Sequence, residues 1–548
     1  MRSDCVSGFC CCHRFFTAAA GLAPPDAGSL TPMAAPAPGS RMLGGIAAAA
    51  VALGVTQLAA VPLGSSADAR NAVGSVVIDL TPGPVKEWAI QTFGTSDKLF
   101  LAAAVLAVIA VIAALTAVAE TPRRPVGSIA IGLAGVAGCV AVFSRADAGP
   151  FDILPTVLGT ACGIAVLRLL TSGRVADGVR RPGDAVDVDP GRRLSLVTIA
   201  FLGAGVLSGV LGAVLTRRVH SVDQDRATFT APRPRTPAPP IPPEVQPAGV
   251  QLPSFVTGNN DFYRIDTALS VPQLAREDWQ LRIHGMVDRE ITFSFDDLAR
   301  FEVVEKVVTL ACVSNPVGGD LISNAVWTGY RVRDLLAEAG IDAEADMVLS
   351  TSSDGFTAGT PVEALTDARD ALLAVTMNGE PLPARHGYPA RLVVPGLYGY
   401  VSATKWVVDL ELTRFDRAEA YWTRLGWAPR GPIKTESRID VPRSGQEVPP
   451  GAVTFGGVAW AQNRGVRGVE VRIDGPAGQG IWQPAELGAS YSGETWRLWS
   501  FPWQATTEGL YTITVRATDN TGETQTEEQA SVLPDGATGW HEVSFSVR

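Results

Sequence analysis

The sequence predicts a multidomain protein with an α-helical transmembrane region, an α+β domain and an all-β immunoglobulin-like C-terminal domain. Three observations carry this. Apolar runs long enough to cross a bilayer crowd the first 216 residues. The middle of the chain mixes alternating and helical periodicities, and from about residue 440 short alternating runs are separated by turn residues.

At 548 residues the chain exceeds a single core. Its hydrophobic content of 46% and mean hydropathy of +0.17 are high for a soluble protein and are concentrated toward the N-terminus. The formal net charge of −10 leaves no basic footprint, so nucleic acid is not an expected partner.

Residues 1–40 are rich in Ala, Pro and Gly and are expected to be disordered. They hold Cys5, Cys10, Cys11 and Cys12 beside His13, a tract that also suits metal binding, and Met33 and Met42 are alternative starts. Residues 41–220 form the membrane region. Five apolar stretches, at 42–63, 98–119, 126–144, 152–171 and 195–216, each give about 28–33 Å of helix, matching a hydrocarbon core. Their many Gly and Ala residues predict close helix packing.

Arginines set the orientation. Arg123 and Arg124 lie between spans two and three, and Arg174, Arg180, Arg181, Arg192 and Arg193 between four and five. The alternate loops carry Arg70 and Lys86, and Arg145. The N-terminus is therefore expected inside and everything after 217 outside, although Arg217 and Arg218 run against the rule. None of the histidines (His13, His220, His284, His386, His541) lies within a span, so no membrane haem held by paired histidines is expected. The spans read as an anchor or a docking surface. Arg192-Arg193 before the last span resembles an internal twin-arginine export signal, and the positive-inside rule alone accounts for it equally well.

Residues 221–253 read as a semi-rigid Pro-rich linker that sets the globular part away from the bilayer. In the α+β region, 254–435, strands are expected at 279–287, 304–312, 371–377, 390–395 and 405–412. The segment 330–340 is a helix with Val332, Leu335, Leu336 and Ala339 on one face, ending at Gly340. Asn378-Gly379, Pro381 and Pro383 join two of the strands. Residues 436–548 give strands such as 469–475, 498–503 and 511–519 and form the immunoglobulin-like domain, without the Cys pair of antibody domains.

Cys312 is the one cysteine after residue 216. In an oxidising compartment it reads as a lone buried thiol, a thiolate ligand for a soft metal, or a nucleophile. Its surroundings narrow the choice. The segments TLACVSNPVGGDLISNAVWTGYRVRDLL (309–336) and HGYPARLVVPGLYGYVSATKW (386–406) closely resemble the sulfite oxidase family of molybdenum enzymes. FVTGNNDFYRID (255–266) resembles the segment at the mouth of that family's cofactor site, also present in bacterial protein-methionine-sulfoxide reductases of the same fold. The stretch from SRIDVPRSG to YTITVRATDNTGETQ looks like the family's dimerisation domain, so the resemblance covers about 250–548.

The resemblance implies a sulfite-oxidase-type molybdopterin domain with one molybdenum–molybdopterin per chain, and Cys312 as the protein thiolate on the metal. His386 and Arg391 match the HG-x-P-x-R positions that hold the pterin and its phosphate. Arg391 suits an anion because its planar fork bonds in bidentate fashion. Lys405, with the backbone of Ala403 and Thr404, matches a second cofactor loop; Asn259, Asn260, Tyr263 and Arg264 fall in the first, and Asp354 matches an acidic cofactor ligand. Trp427 stands where relatives have a tyrosine near the metal, and is taken as a catalytic-site residue.

This chain also departs from the family. Animal and plant sulfite oxidases continue the metal cysteine's segment with Asn-Arg-Arg; here Asn315 is followed by Pro316 and Val317, and Gly258 replaces another arginine. The positive field that a sulfite dianion needs is thereby reduced, with Arg424, Arg430, Arg464 and Arg467 as candidates to compensate. The expected function is oxygen-atom transfer on a small sulfur- or nitrogen-oxo substrate. Electrons would be exchanged with a cytochrome or quinone-linked carrier, because no haem or iron–sulfur motif occurs in the chain. A homodimer through the C-terminal domain is implied. The alternative is a non-catalytic, membrane-anchored binding protein that keeps the fold without metal.

Overall fold

The computed structural model describes residues 37–64, 67–82, 85, 88, 92, 97–144, 149–172 and 190–548. The expectation of disorder for 1–40, the N-terminal cysteine tract, and Lys86, Arg145, Arg174, Arg180 and Arg181 lie wholly or mainly outside them.

Helices α1 (Pro38–Ala59), α2 (Ala69–Leu80), α3 (Asp97–Val118), α4 (Val126–Phe143), α5 (Leu154–Thr171) and α6 (Pro190–Val219) build the N-terminal part. Five of them, all but α2, are long and apolar enough to cross a membrane. Helix α1 sits at the centre, against α3, α5 and α6. It can do so because glycines face it: a side chain at Gly205 would strike the backbone of Ala50 and Val51, and one at Gly159 would strike Thr56. Helix α2 was not expected. Its modest apolar content conceals it in the sequence, and it packs Ala69 and Ala72 against Ala141 and Val142 of α4. Asp68 caps it by accepting from the backbone N–H of Arg70 at 3.0 Å.

The stretch after α6 is extended as prolines demand, but it does not stand off as a spacer. A short helix, α7 (Asp223–Thr228), places Asp225 against Arg276 at 2.6 Å, and Arg226 Nε donates to the Leu382 carbonyl at 2.7 Å. Thr236 bridges Val304, Tyr491 donates to the Pro239 carbonyl at 2.7 Å, and Val245 is 3% exposed in the main core. Backbone groups that proline leaves without intrasegment partners bond to the globular part instead.

The α+β part has two sheets. Its elements are β1 (Gln280–Gly285), β2 (Ile291–Ser294), β3 (Val303–Ala311), β4 (Ile322–Arg331), α8 (Val332–Ala339), β5 (Met347–Ser352), β6 (Thr357–Pro361), α9 (Val362–Thr366), β7 (Leu372–Met377), β8 (Glu380–Pro381), β9 (Arg391–Val393) and β10 (Val407–Thr413). One sheet runs β8-β7-β4-β3, with β9 also on β7; the other runs β2-β1-β10-β5-β6. Helix α8 buries Val332, Leu335, Leu336 and Ala339 and ends at Gly340 with φ 70°, as its periodicity predicts. Asn378 and Gly379, with φ of 52° and 78°, make the tight turn from β7 to β8.

The C-terminal segment forms a four-stranded and a five-stranded sheet sharing one apolar core that includes Phe455, Trp499, Ile513 and Phe545. A second set of its residues, Val458, Trp460, Trp496 and Leu498, belongs to the core of the α+β part. The boundary at 435 therefore divides the chain without dividing the packing.

Candidate active site

Strand β3 is β-branched and buried along its second half, and it delivers Cys312 to the head of a tight loop. The loop is closed by Cys312 N–H on the Leu321 carbonyl at 2.9 Å, and Asn315 N–H donates back to the Cys312 carbonyl at 3.1 Å. Cys312 is 8% exposed and lines a cavity shared with Tyr263, Asp354, His386, Arg391, Ala403, Lys405 and Trp427. Eight residues from five segments of the chain, each singled out in the sequence, thus meet at one hollow.

Gly387 explains how His386 and Arg391 come so close. Its φ is 110°, and a Cβ there would press on the side chains of Arg391 and Lys405. His386 is 2% exposed, and its Nε2 contacts the Asn259 carbonyl at 3.1 Å. A carbonyl only accepts, so Nε2 carries the proton and Nδ1 is left as an acceptor. Burial, with Arg391 and Lys405 nearby, pushes its pKa down to about 3, so the ring is neutral. Phe262 backs it edge-on at 5.6 Å and stacks on Tyr263 at 5.3 Å. Burial pushes the Tyr263 phenol well up.

Arg391 is 5% exposed and lies over the Trp327 ring at 5.1 Å. Its hydrogen bonds go to the carbonyls of Leu392, His386 and Ala403, and among the described residues no carboxylate pairs with it. Burial lowers its pKa to about 10, so it is still charged at neutral pH. A buried cation held by carbonyls alone is a site for an anion. Lys405 differs: its Nζ meets Asp266 at 2.7 Å, and Arg264 Nε meets the same carboxylate oxygen at 2.9 Å. Burial nevertheless lowers the Lys405 pKa to about 8, against the pull of Asp266.

Four expected residues lie away from the cavity lining. Asn259 turns its amide to the Met377 carbonyl and Glu380, and its carbonyl accepts from His386, so it positions His386. Asn260 accepts from Arg385 at 2.8 Å. Arg264 pairs with Asp266, and Thr404 is buried on Ser350 at 2.7 Å. Part of the backbone of Ala403 and Thr404 is also engaged. Ala403 N–H donates to the Gly399 carbonyl, and the Thr404 carbonyl accepts from Leu392 N–H.

Sequence reasoning missed Asp266, Phe356, Tyr400 and Trp422, all of which line the cavity. Asp266 carried a signal, as an acid closing the FYRID motif; the aromatic residues looked like ordinary core.

Residues 268–422 match the family model described as an oxidoreductase molybdopterin binding domain. The chain is similar to an uncharacterized oxidoreductase, YuiH, of Bacillus subtilis, 35% identical over 28% of this chain and 74% of that protein. It is 29% identical to mitochondrial sulfite oxidase of Mus musculus, over 54% of this chain and 62% of that enzyme's length. Among solved structures, the sulfane dehydrogenase SoxCD of Paracoccus pantotrophus is 25% identical with a TM-score of 0.45, covering 52% of this chain and 80% of that one.

Proposed function

The chain belongs to the sulfite oxidase family of molybdopterin oxidoreductases, and from this premise we propose that it is a membrane-anchored enzyme acting on a small sulfur- or nitrogen-oxo substrate outside the cytoplasmic membrane. The observation that carries the reading is the pairing of buried Cys312 with the anion-seeking Arg391 in one cavity.

When bound, the molybdenum–pterin group supplies two-electron oxygen-atom transfer, exchanging electrons one at a time. Cys312 offers the single protein thiolate. Arg391 offers a charged, buried fork for the phosphate end, and Lys405 adds a second positive charge beside it. His386, neutral with Nδ1 as acceptor, suits a pterin N–H donor. Asp266 holds Lys405 in place, and Tyr263 with Phe262 walls off water behind Arg391. Trp427, 5% exposed, borders the same space as Cys312, which supports reading it as a substrate-contacting residue.

Five helices of spanning length and the arginine distribution support an anchor with the globular part outside. The redox partner is an extracytoplasmic or membrane electron carrier, a cytochrome or a quinone-linked protein. The C-terminal two-sheet segment is read as immunoglobulin-like and as the homodimer contact. The test is metal analysis of the purified full-length chain. Molybdenum near one per chain is expected, lost in Cys312→Ser; a metal-free native chain, or unchanged metal in the variant, would sink the reading. A screen of sulfite, sulfoxides and N-oxides with an artificial electron dye then identifies the substrate.

A further inference from the structure

The cavity has a second character. Tyr400, Trp427, Trp422, Tyr421 and Phe356 form a continuous chain of ring contacts, with centroids 5.8, 6.2, 5.1 and 5.9 Å apart in that order. All but Tyr421 line the cavity, together with the half-buried carboxylate of Asp354. Arg391 is the one arginine in the lining among the described residues. The arginines that were candidates to compensate are placed elsewhere. Arg464 pairs with Asp519 at 2.6 Å, Arg430 lies over Phe415, Arg424 donates to the Glu419 carbonyl, and Arg467 is exposed.

We propose that this aromatic wall is a substrate vestibule selective for uncharged, dipolar oxides, of the sulfoxide or amine N-oxide kind, over oxyanions. The inference rests on the oxidoreductase reading and narrows its substrate class. Ring faces are negative, so they attract the positive sulfur or nitrogen end of an S–O or N–O dipole, and polarisable sulfur packs well on them. A dianion finds no compensating charge on these rings and is repelled by Asp354. Once Arg391 and Lys405 hold a phosphate, no further Lys or Arg among the described residues lines the cavity to offset that repulsion.

The experiment titrates the purified full-length chain, its molybdenum content already measured, with methyl phenyl sulfoxide and separately with sulfate, following tryptophan emission. Saturable quenching by the sulfoxide is expected, at a concentration about tenfold or more below any response to sulfate. Trp427→Leu should weaken the sulfoxide about tenfold, the strength of one good aromatic contact. The half-buried Trp422→Leu serves should the first variant fail to fold. Sulfate binding as tightly as the sulfoxide, or no sulfoxide response in a molybdenum-loaded chain, overturns the proposal. A chain that binds the sulfoxide but holds no molybdenum keeps the vestibule and sinks the oxidoreductase reading. The two failures are therefore separable.

Discussion

The hydroxyl of Thr309 accepts the main-chain N–H of Trp496 at 2.9 Å and donates to Asn324 Oδ1 at 2.9 Å. Thr309 N–H donates to the Glu494 carbonyl and its own carbonyl accepts from Gln462, so the strand that ends in Cys312 is pinned by the C-terminal segment. Thr309→Val keeps the shape but orphans a buried donor and a buried acceptor, at about 1–3 kcal/mol each. Denaturant unfolding followed by tryptophan emission should show that loss, with Thr309→Ser close to the parent. A valine variant as stable as the parent would mean that these bonds do not hold the strand.

Because Trp460, Trp496 and Leu498 complete the core of the α+β part, a chain ending at residue 435 should not fold. Removing those side chains exposes apolar surface at about 25 cal/mol per Å². Expression of residues 221–435 should yield aggregated or molten material, while 221–548 gives cooperative unfolding. A cooperative, well-dispersed 221–435 fragment would refute the shared core.

His386 sets an acid limit on stability. Its folded pKa is depressed to about 3 by burial, below the ordinary 6.5. Below about 6.5 the unfolded chain takes up a proton that the folded ring refuses. Stability from this residue is thus complete above that pH and falls by up to about 1.4 kcal/mol per pH unit toward 3. His386→Gln should flatten the unfolding profile between pH 6 and 4 relative to the parent. Equal slopes in both proteins would place the acid lability elsewhere.

Helix α8 was legible because its burial is written as a repeat, Val332, Leu335, Leu336 and Ala339 being the four residues that it buries, and the five long apolar helices because each is an unbroken apolar run. That Cys312, His386 and Arg391 share one cavity was legible through the short motifs that carry them. Helix α2 was not, because it has only 12 residues, and Arg70, Asn71 and Asp79 interrupt its apolar run. Neither was the docking of 221–253, because composition reports stiffness and says nothing of what a stiff segment lies against. Most of the aromatic wall was hidden for a related reason: Phe356, Tyr400 and Trp422 have no spacing that separates cavity lining from core.

Lys405 gives the anion site an alkaline limit. Burial holds its folded pKa near 8, below the ordinary 10.5, even beside Asp266. As pH rises through about 8 the lysine loses its proton, and an anion on Arg391 loses one of two neighbouring charges. A bound phosphate raises that pKa, so the proton and the anion stabilise one another. Molybdopterin retained after gel filtration should decline between pH 8 and 10 in the parent. In Lys405→Arg, charged at that position throughout, retention should hold level to about pH 9, above which Arg391 itself begins to lose its proton. Parallel decline in the two would remove Lys405 from the anion site.

Two glycines separated by one residue in α6 should respond in opposite ways to the same change. Around Gly203 nothing lies within 4 Å of a new Cβ, whereas at Gly205 the Cβ would run into the backbone of Ala50 and Val51 in α1. Helix α1 is the element around which α3, α5 and α6 pack, so displacing it disturbs the whole bundle. Gly203→Leu is expected to leave unfolding in detergent within about 0.5 kcal/mol of the parent. Gly205→Leu should cost about 1–3 kcal/mol or more, because the neighbour that must yield is main chain and cannot change rotamer. Heating curves in dodecyl maltoside, read by helical circular dichroism, make the comparison. Equal midpoints for the two variants would show that α1 and α6 are not in contact at this level.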